Sequence, residues 1–167
     1  MVAAMNGHEA VVQLLLEKCD IDVNVKNNGG WTPLMVAVMN GHEAIMQLLL
    51  KHDDEVDINA RNPHGSTLLL NAATNGHEAV VRLLLERGDV DINAKDKSLL
   101  TPGVTPLLAA TMEGNETIVR LLVERDDIDI NDSDKDGQTP LSIAVAKGHE
   151  SIVRLLMERN DIAVDRG

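Results

Sequence analysis

The sequence predicts an all-α solenoid of stacked helix-turn-helix repeats. Three observations carry that expectation. A glycine recurs at Gly7, Gly41, Gly76, Gly114 and Gly148, at spacings of 34, 35, 38 and 34 residues, and self-similarity at such a period is the signature of a stacked array. Each glycine is followed by the same corner, with His-Glu at His8, His42, His77 and His149 and Asn115-Glu116 in the fourth copy. Every copy then enters an aliphatic block, at residues 11–16, 45–50, 80–85, 118–123 and 152–157.

The first ten residues match residues 35–44 except for Ala4 against Val38. The chain therefore opens inside a repeat, and it is expected to be a fragment of a larger protein, with repeat 1 frayed. Repeat 2 shows the local mechanics. Thr32 is placed to cap a first helix over residues 33–40, and Pro33 sits at its first position, where a missing N–H costs nothing. Gly41 ends that helix in a left-handed conformation. Glu43 then opens a second helix at its positive end, and Ile45, Met46, Leu48 and Leu49 are spaced to line its buried face. Repeat 3 has Leu68 in the proline position, so its first helix is expected to begin later or fray. Repeat 4 carries the one sizeable insertion. From the Asn that follows the second helix to the next capping Thr takes 8 residues in Asn24 to Thr32, Asn59 to Thr67 and Asn131 to Thr139, but 12 in Asn93 to Thr105. The extra residues fall within 97–102 and include Leu99 and Leu100, which should either tuck back or meet a partner, since burying each is worth roughly 1.5–3 kcal/mol. Repeat 5 ends with Asp165 where the other copies have Asn.

Thr32-Pro33-Leu34, Thr105-Pro106-Leu107 and Thr139-Pro140-Leu141, each with a glycine two residues before the Thr (Gly30, Gly103, Gly137), together with the Gly-His corners, the Leu-Leu blocks and the terminal Asn, resemble the ankyrin repeat. The resemblance covers almost the whole chain. Departures are the missing proline at Ser66-Thr67-Leu68, Met35, Leu70, Leu108 or Ser142 where the family has His, and acidic-aliphatic runs such as residues 126–131 after the second helix. The tetratricopeptide repeat shares the period but needs Tyr and Phe, and this chain has neither. The resemblance implies repeats at about 1–26 (partial), 27–61, 62–95, 96–133 and 134–167, and β-turn fingers between repeats, one at about residues 59–67. It also implies a partner-binding concave face of finger tips and first helices. By register that face holds Trp31, His64, Ser66, Val104 and Gln138 on fingers, and Met39, Asn40, Thr74, Asn75, Met112, Glu113 and Lys147 on first helices, with Leu99 and Leu100 of the insertion beside them. Met5, Met39 and Met112 form an adaptable row, either exposed to a partner or packed between helices. Trp31, the only aromatic residue, is expected to be an exposed anchor on its finger, or else to lie over the Met35 or His64 region.

The composition is 44% hydrophobic but 1% aromatic, so Leu, Ile, Val, Met and Ala must fill the interior. A net charge of -12 opposes nucleic acid and anionic membranes and favours a partner with a basic surface. Cys19, the single cysteine, excludes an internal disulfide. No signal peptide opens the chain and no apolar run approaches the roughly 20 residues of a membrane span. A monomer in an intracellular, cytoplasmic or nuclear setting is expected.

Candidate chemistry is sparse. Residues 132–137 match the opening of an EF-hand loop, but Ile143 stands where the bidentate Glu belongs. The corner histidines recur at about the helix packing distance of roughly 8–10 Å, too far apart to share a metal. The acidic clusters recur in every repeat and read as loop residues. No phosphate loop, nucleophile elbow or Cys-x-x-Cys pair occurs, and no metal or cofactor is expected. The reading is a non-enzymatic protein-protein interaction module. The alternatives are a structural spacer or spring and, less favoured, an enzyme built on the scaffold.

Overall fold

The computed structural model describes residues 1–18, 21–52 and 56–163. Cys19, Asp20, the acidic run at 53–55 and Asp165 lie outside the described residues. Ten helices are described, in five pairs: α1 (Val2–Met5) with α2 (Glu9–Lys18), α3 (Pro33–Met39) with α4 (Glu43–His52), α5 (Leu68–Thr74) with α6 (Glu78–Glu86), α7 (Pro106–Met112) with α8 (Glu116–Val123), and α9 (Pro140–Lys147) with α10 (Glu150–Met157). The first helices α1, α3, α5, α7 and α9 stack on one another in order, and the second helices form a parallel layer beside them. Among the described residues the only β pairing is an isolated bridge between Arg61 and Thr67.

The local causes are those of the sequence. Thr32, Thr67, Thr105 and Thr139 cap their helices, each hydroxyl accepting the N–H three residues on, at 3.2 Å from Met35 and 3.3 Å from Leu70, Leu108 and Ser142. Because the Thr cap alone fixes the start, α5 begins at Leu68 in register with its neighbours. This corrects the expectation that losing the proline delays it. At the corner, Gly41 takes φ +71°. The Gly41 N–H donates to the Val38 carbonyl at 3.1 Å and the His42 N–H to the Ala37 carbonyl at 2.9 Å, the pair of bonds that closes a helix on a left-handed glycine.

Ala37, Ala72, Ala110 and Ala144 have no exposed surface, and their size lets the first helices pack closely. On α4 the buried residues are Ile45, Met46, Leu49 and Leu50, while Leu48 is half-buried. The buried stripe thus takes in Leu50 and leaves Leu48 at its edge. The repeats are also tied by side chains. Asn59 donates to the Asp89 carbonyl at 2.7 Å and accepts from the Asp91 N–H at 2.7 Å. Asn93 does the same with Asp127 and Asp129, and Asn131 with Asp161 and Ala163. Arg125 and Arg159 donate to the Leu85 and Val123 carbonyls, at the ends of the preceding second helices.

Arg87, Arg125 and Arg159 pair with Asp89, Asp127 and Asp161 at 3.2, 3.0 and 2.8 Å. The guanidinium hydrogen bonds hold all three carboxyls below their ordinary range. These pairs are exposed and add little to stability. They explain the recurring acidic residues as linker fixtures.

Candidate partner-binding face

Each finger is closed by the same two devices, a backbone bond across its base and a side chain turned inward. Asn27, Asn62 and Asp134 donate their N–H to the carbonyls of Trp31, Ser66 and Gln138, at 2.9, 2.9 and 3.2 Å. Their side-chain oxygens accept two N–H groups inside the turn, those of Gly29 and Trp31, His64 and Ser66, and Asp136 and Gln138. Asp134, the third residue of the EF-hand-like run, is thus engaged in a turn, and Ile143 is buried. Among the described residues no three His, Cys, Asp or Glu side chains converge to hold a metal.

The inserted finger keeps this base and changes what stands on it. The Asp96 N–H donates to the Val104 carbonyl at 2.8 Å, so eight residues separate the pair where the others have four. Asp96 is buried, at 4% exposure, and holds the insertion from within. Its carboxylate accepts from the Ser66 hydroxyl at 2.9 Å, the Ser98 N–H at 3.1 Å, the Ser98 hydroxyl at 2.6 Å and the Thr101 hydroxyl. Burial raises the Asp96 pKa, but the hydrogen bonds from Ser98, Thr101 and Ser66 outweigh it and hold the carboxyl below its ordinary range. On top of this hub Leu99 and Leu100 are 97% and 89% exposed. They do not tuck back onto the fingers.

A folded-state pKa below the unfolded value adds stability above the ordinary carboxylate pKa of about 3.9, and that stability is lost as pH falls through the lower folded value. Amide protection across residues 97–103, taken relative to the intrinsic exchange rate at each pH, should therefore fall on acidification below about pH 4, ahead of that in α7. At neutral pH Asp96→Ala should cost about 1–3 kcal/mol, because three hydroxyls lose their acceptor. Unchanged exchange in both cases would show that the insertion is not held by Asp96.

The remaining sequence-derived positions are placed unevenly. His64, Thr74, Asn75, Asn40, Glu113, Gln138 and Lys147 are exposed, as are Met5 and Met39. Met112 is half-buried, packed against a small second core of Leu70, Val104, Leu108, Ala109 and Ile143. Val104 is buried at 6% exposure, so it is a floor beneath the inserted finger and not a contact surface. This corrects its assignment to the face. Ser66 is half-buried and committed to Asp96. Trp31 is also half-buried: it packs on the main core and meets His64 edge-on, with ring centroids 5.6 Å apart. The fully exposed anchor expected of it is therefore corrected, and its ring covers the step between repeats 2 and 3. The sequence reading missed Asp96 and Ser98, although an Asp that accepts from the backbone N–H two residues on is a common way to close a turn.

Among the described residues no helix is long and apolar enough to cross a membrane. Comparison with curated proteins gives no matching relative. A family model described as ankyrin repeats (3 copies) matches residues 1–96 and again residues 89–166. With capped helix pairs, left-handed glycine corners, turn fingers and that match in agreement, the chain belongs to the ankyrin repeat family.

Proposed function

We propose that the chain is a non-enzymatic protein-recognition module whose main contact is the inserted finger, with Leu99 and Leu100 as its anchors. Ankyrin repeats are generally protein-protein interaction modules and typically not enzymes, and they occur mainly in intracellular proteins. The observation that carries the proposal is the near-complete exposure of two adjacent leucines on a loop that a buried carboxylate holds in one conformation. Preorganisation of that kind lowers the entropy lost on binding. The exposed Met39, His64, Thr74 and Asn75 on the neighbouring finger and first helices extend the same face.

Charge divides the surface. The fingers at 24–31, 59–66 and 93–104 each carry a net +1 and only that at 131–138 is acidic, at -2, on a molecule of -12. A basic partner region is therefore drawn to the acidic linkers around Asp89, Asp91, Asp126 and Asp129, while the finger contact is apolar. In that division charge governs the rate of encounter and the leucines govern residence.

Affinity capture from the native cell, with wild type beside a Leu99→Ser/Leu100→Ser variant, tests the reading. Both leucines are wet in the free protein, so the melting temperature should not change. Partner affinity should fall at least about tenfold, since burying even one leucine is worth roughly 1.5–3 kcal/mol. Capture of the same proteins at the same strength by both would end the proposal.

A further inference from the structure

Four of the five prolines follow a threonine, at Thr32-Pro33, Thr101-Pro102, Thr105-Pro106 and Thr139-Pro140. Three of these pairs open helices. The Thr32, Thr105 and Thr139 hydroxyls accept the N–H groups of Met35, Leu108 and Ser142, and the prolines beside them are buried at the first positions of α3, α7 and α9. Thr101-Pro102 lies instead within the insertion, and Thr101 is exposed. Proline fixes its own φ and holds the residue before it extended, the form in which a protein kinase receives the chain around an acceptor hydroxyl.

The segment is also easily lifted away. None of the N–H groups of Ser98, Leu99, Leu100 and Thr101 donates to a backbone carbonyl among the described residues. Those of Ser98 and Thr101 go to the Asp96 carboxylate and the Ser98 hydroxyl. What fixes the loop is therefore the Asp96 side chain, and one of its oxygens, Oδ2, accepts both the Ser98 hydroxyl at 2.6 Å and the Thr101 hydroxyl. Ser98 is half-buried and is followed by Leu99. Thr101 thus joins three properties that no other threonine before a proline combines: an exposed site, a segment without a backbone ladder, and a hydroxyl on which the loop's conformation depends.

We propose that Thr101 is the acceptor of a proline-directed serine/threonine kinase, and that phosphorylation there releases the insertion from Asp96. ATP is the donor. Oγ1 of Thr101 forms a bond to the γ-phosphorus, the bond from that phosphorus to the β,γ-bridging oxygen breaks, ADP leaves, and the hydroxyl proton passes to the kinase's catalytic base. Oγ1 is then an ester oxygen with no proton to donate, beneath a group of about -1.5 to -2 charge at pH 7. The buried carboxylate loses a donor and meets like charge at hydrogen-bond range, so the insertion swings away to separate the two. Of the adjacent lysines, Lys95 is already engaged by Asp132 at 2.7 Å, and exposed Lys97 offers only a solvated pairing worth little. The consequence for binding rests on the finger contact proposed above: Leu99 and Leu100 stay exposed but are no longer held in one arrangement.

A recombinant mitogen-activated protein kinase with MgATP, acting on the whole chain, tests it. Mass spectrometry should find one phosphate, on Thr101, with Thr32, Thr105 and Thr139 unmodified. Pro102→Ala should abolish that incorporation. In the phosphorylated protein, amide protection across residues 97–103 should fall at least about tenfold, the scale of one hydrogen bond to a charged group, while that of α7 holds. Asp96→Ala is the control in which the insertion is already released. A kinase that modifies Asp96→Ala but not wild type overturns the proposal, because the carboxylate then shields the hydroxyl. So does a kinase that modifies neither, incorporation retained by Pro102→Ala, or a phosphorylated protein whose insertion stays protected. Partner capture is a separate readout: release of the insertion with unchanged capture upholds the present inference and ends the role assigned to the two leucines.

Discussion

Truncation of Leu122 to alanine should cost about 2–5 kcal/mol, the range for a buried leucine whose site cannot collapse. Leu122 has no exposed surface and lies on α8 between α6 and α10. The same change at Leu15, which shares its register but is 41% exposed, should cost less than about 2 kcal/mol, since only part of its transfer energy is at stake. In a linear array each repeat is stabilised by its neighbours alone, so position in the stack and not residue type sets the loss. Urea unfolding monitored by circular dichroism measures both, and amide exchange in dilute solution supplies the local view: α2 should exchange well before α8. Equal losses at the two leucines would mean that Leu15 is packed in solution as fully as Leu122.

Much of this fold is legible because the repeat states each local rule several times. One Thr-Pro-Leu is weak on its own, whereas Thr32, Thr105 and Thr139 in register predict the caps that the structure contains. The misreadings arise where one copy departs from the rest. At Leu68 the missing proline mattered less than the Thr67 cap retained beside it. Val104 looked like a finger residue by register, but the insertion moved the tip to Leu99 and Leu100 and left Val104 as floor. The sequence leaves Trp31 open between an exposed anchor and a ring over the Met35 or His64 region, because it cannot show that His64, on the next finger, comes within ring contact of it. The Asp96 hub was hidden for a similar reason: one of its donors, Ser66, belongs to the preceding finger. Contacts between repeats are invisible to a reading that aligns repeats with one another. The clips from Asn59, Asn93 and Asn131 escape the sequence for the same reason, since each reaches the linker of the following repeat.

Gly41→Ala and Gly148→Ala make a matched pair that separates backbone cost from contact cost. Both glycines have φ +71°, so each alanine bears the left-handed penalty of about 1–2 kcal/mol. At Gly148 the added methyl meets open space, and the loss should end there. At Gly41 the methyl would stand 2.7 Å from Nδ1 of His77, closer than any real contact, and the imidazole must move. Moving it breaks the hydrogen bond from Nε2 to the Met39 carbonyl, a loss of about 0.5–1.5 kcal/mol more. Gly41→Ala should therefore be the more destabilising by at least that difference, and its His77 ring resonances should shift in NMR spectra while those of His42 stay in place. A His77→Ala background tests the assignment, because with the ring gone the excess cost of Gly41→Ala should vanish and leave the backbone term shared with Gly148→Ala. If the excess persists there, the corner glycines answer to backbone conformation alone, and the histidines lie over them without setting what the position tolerates.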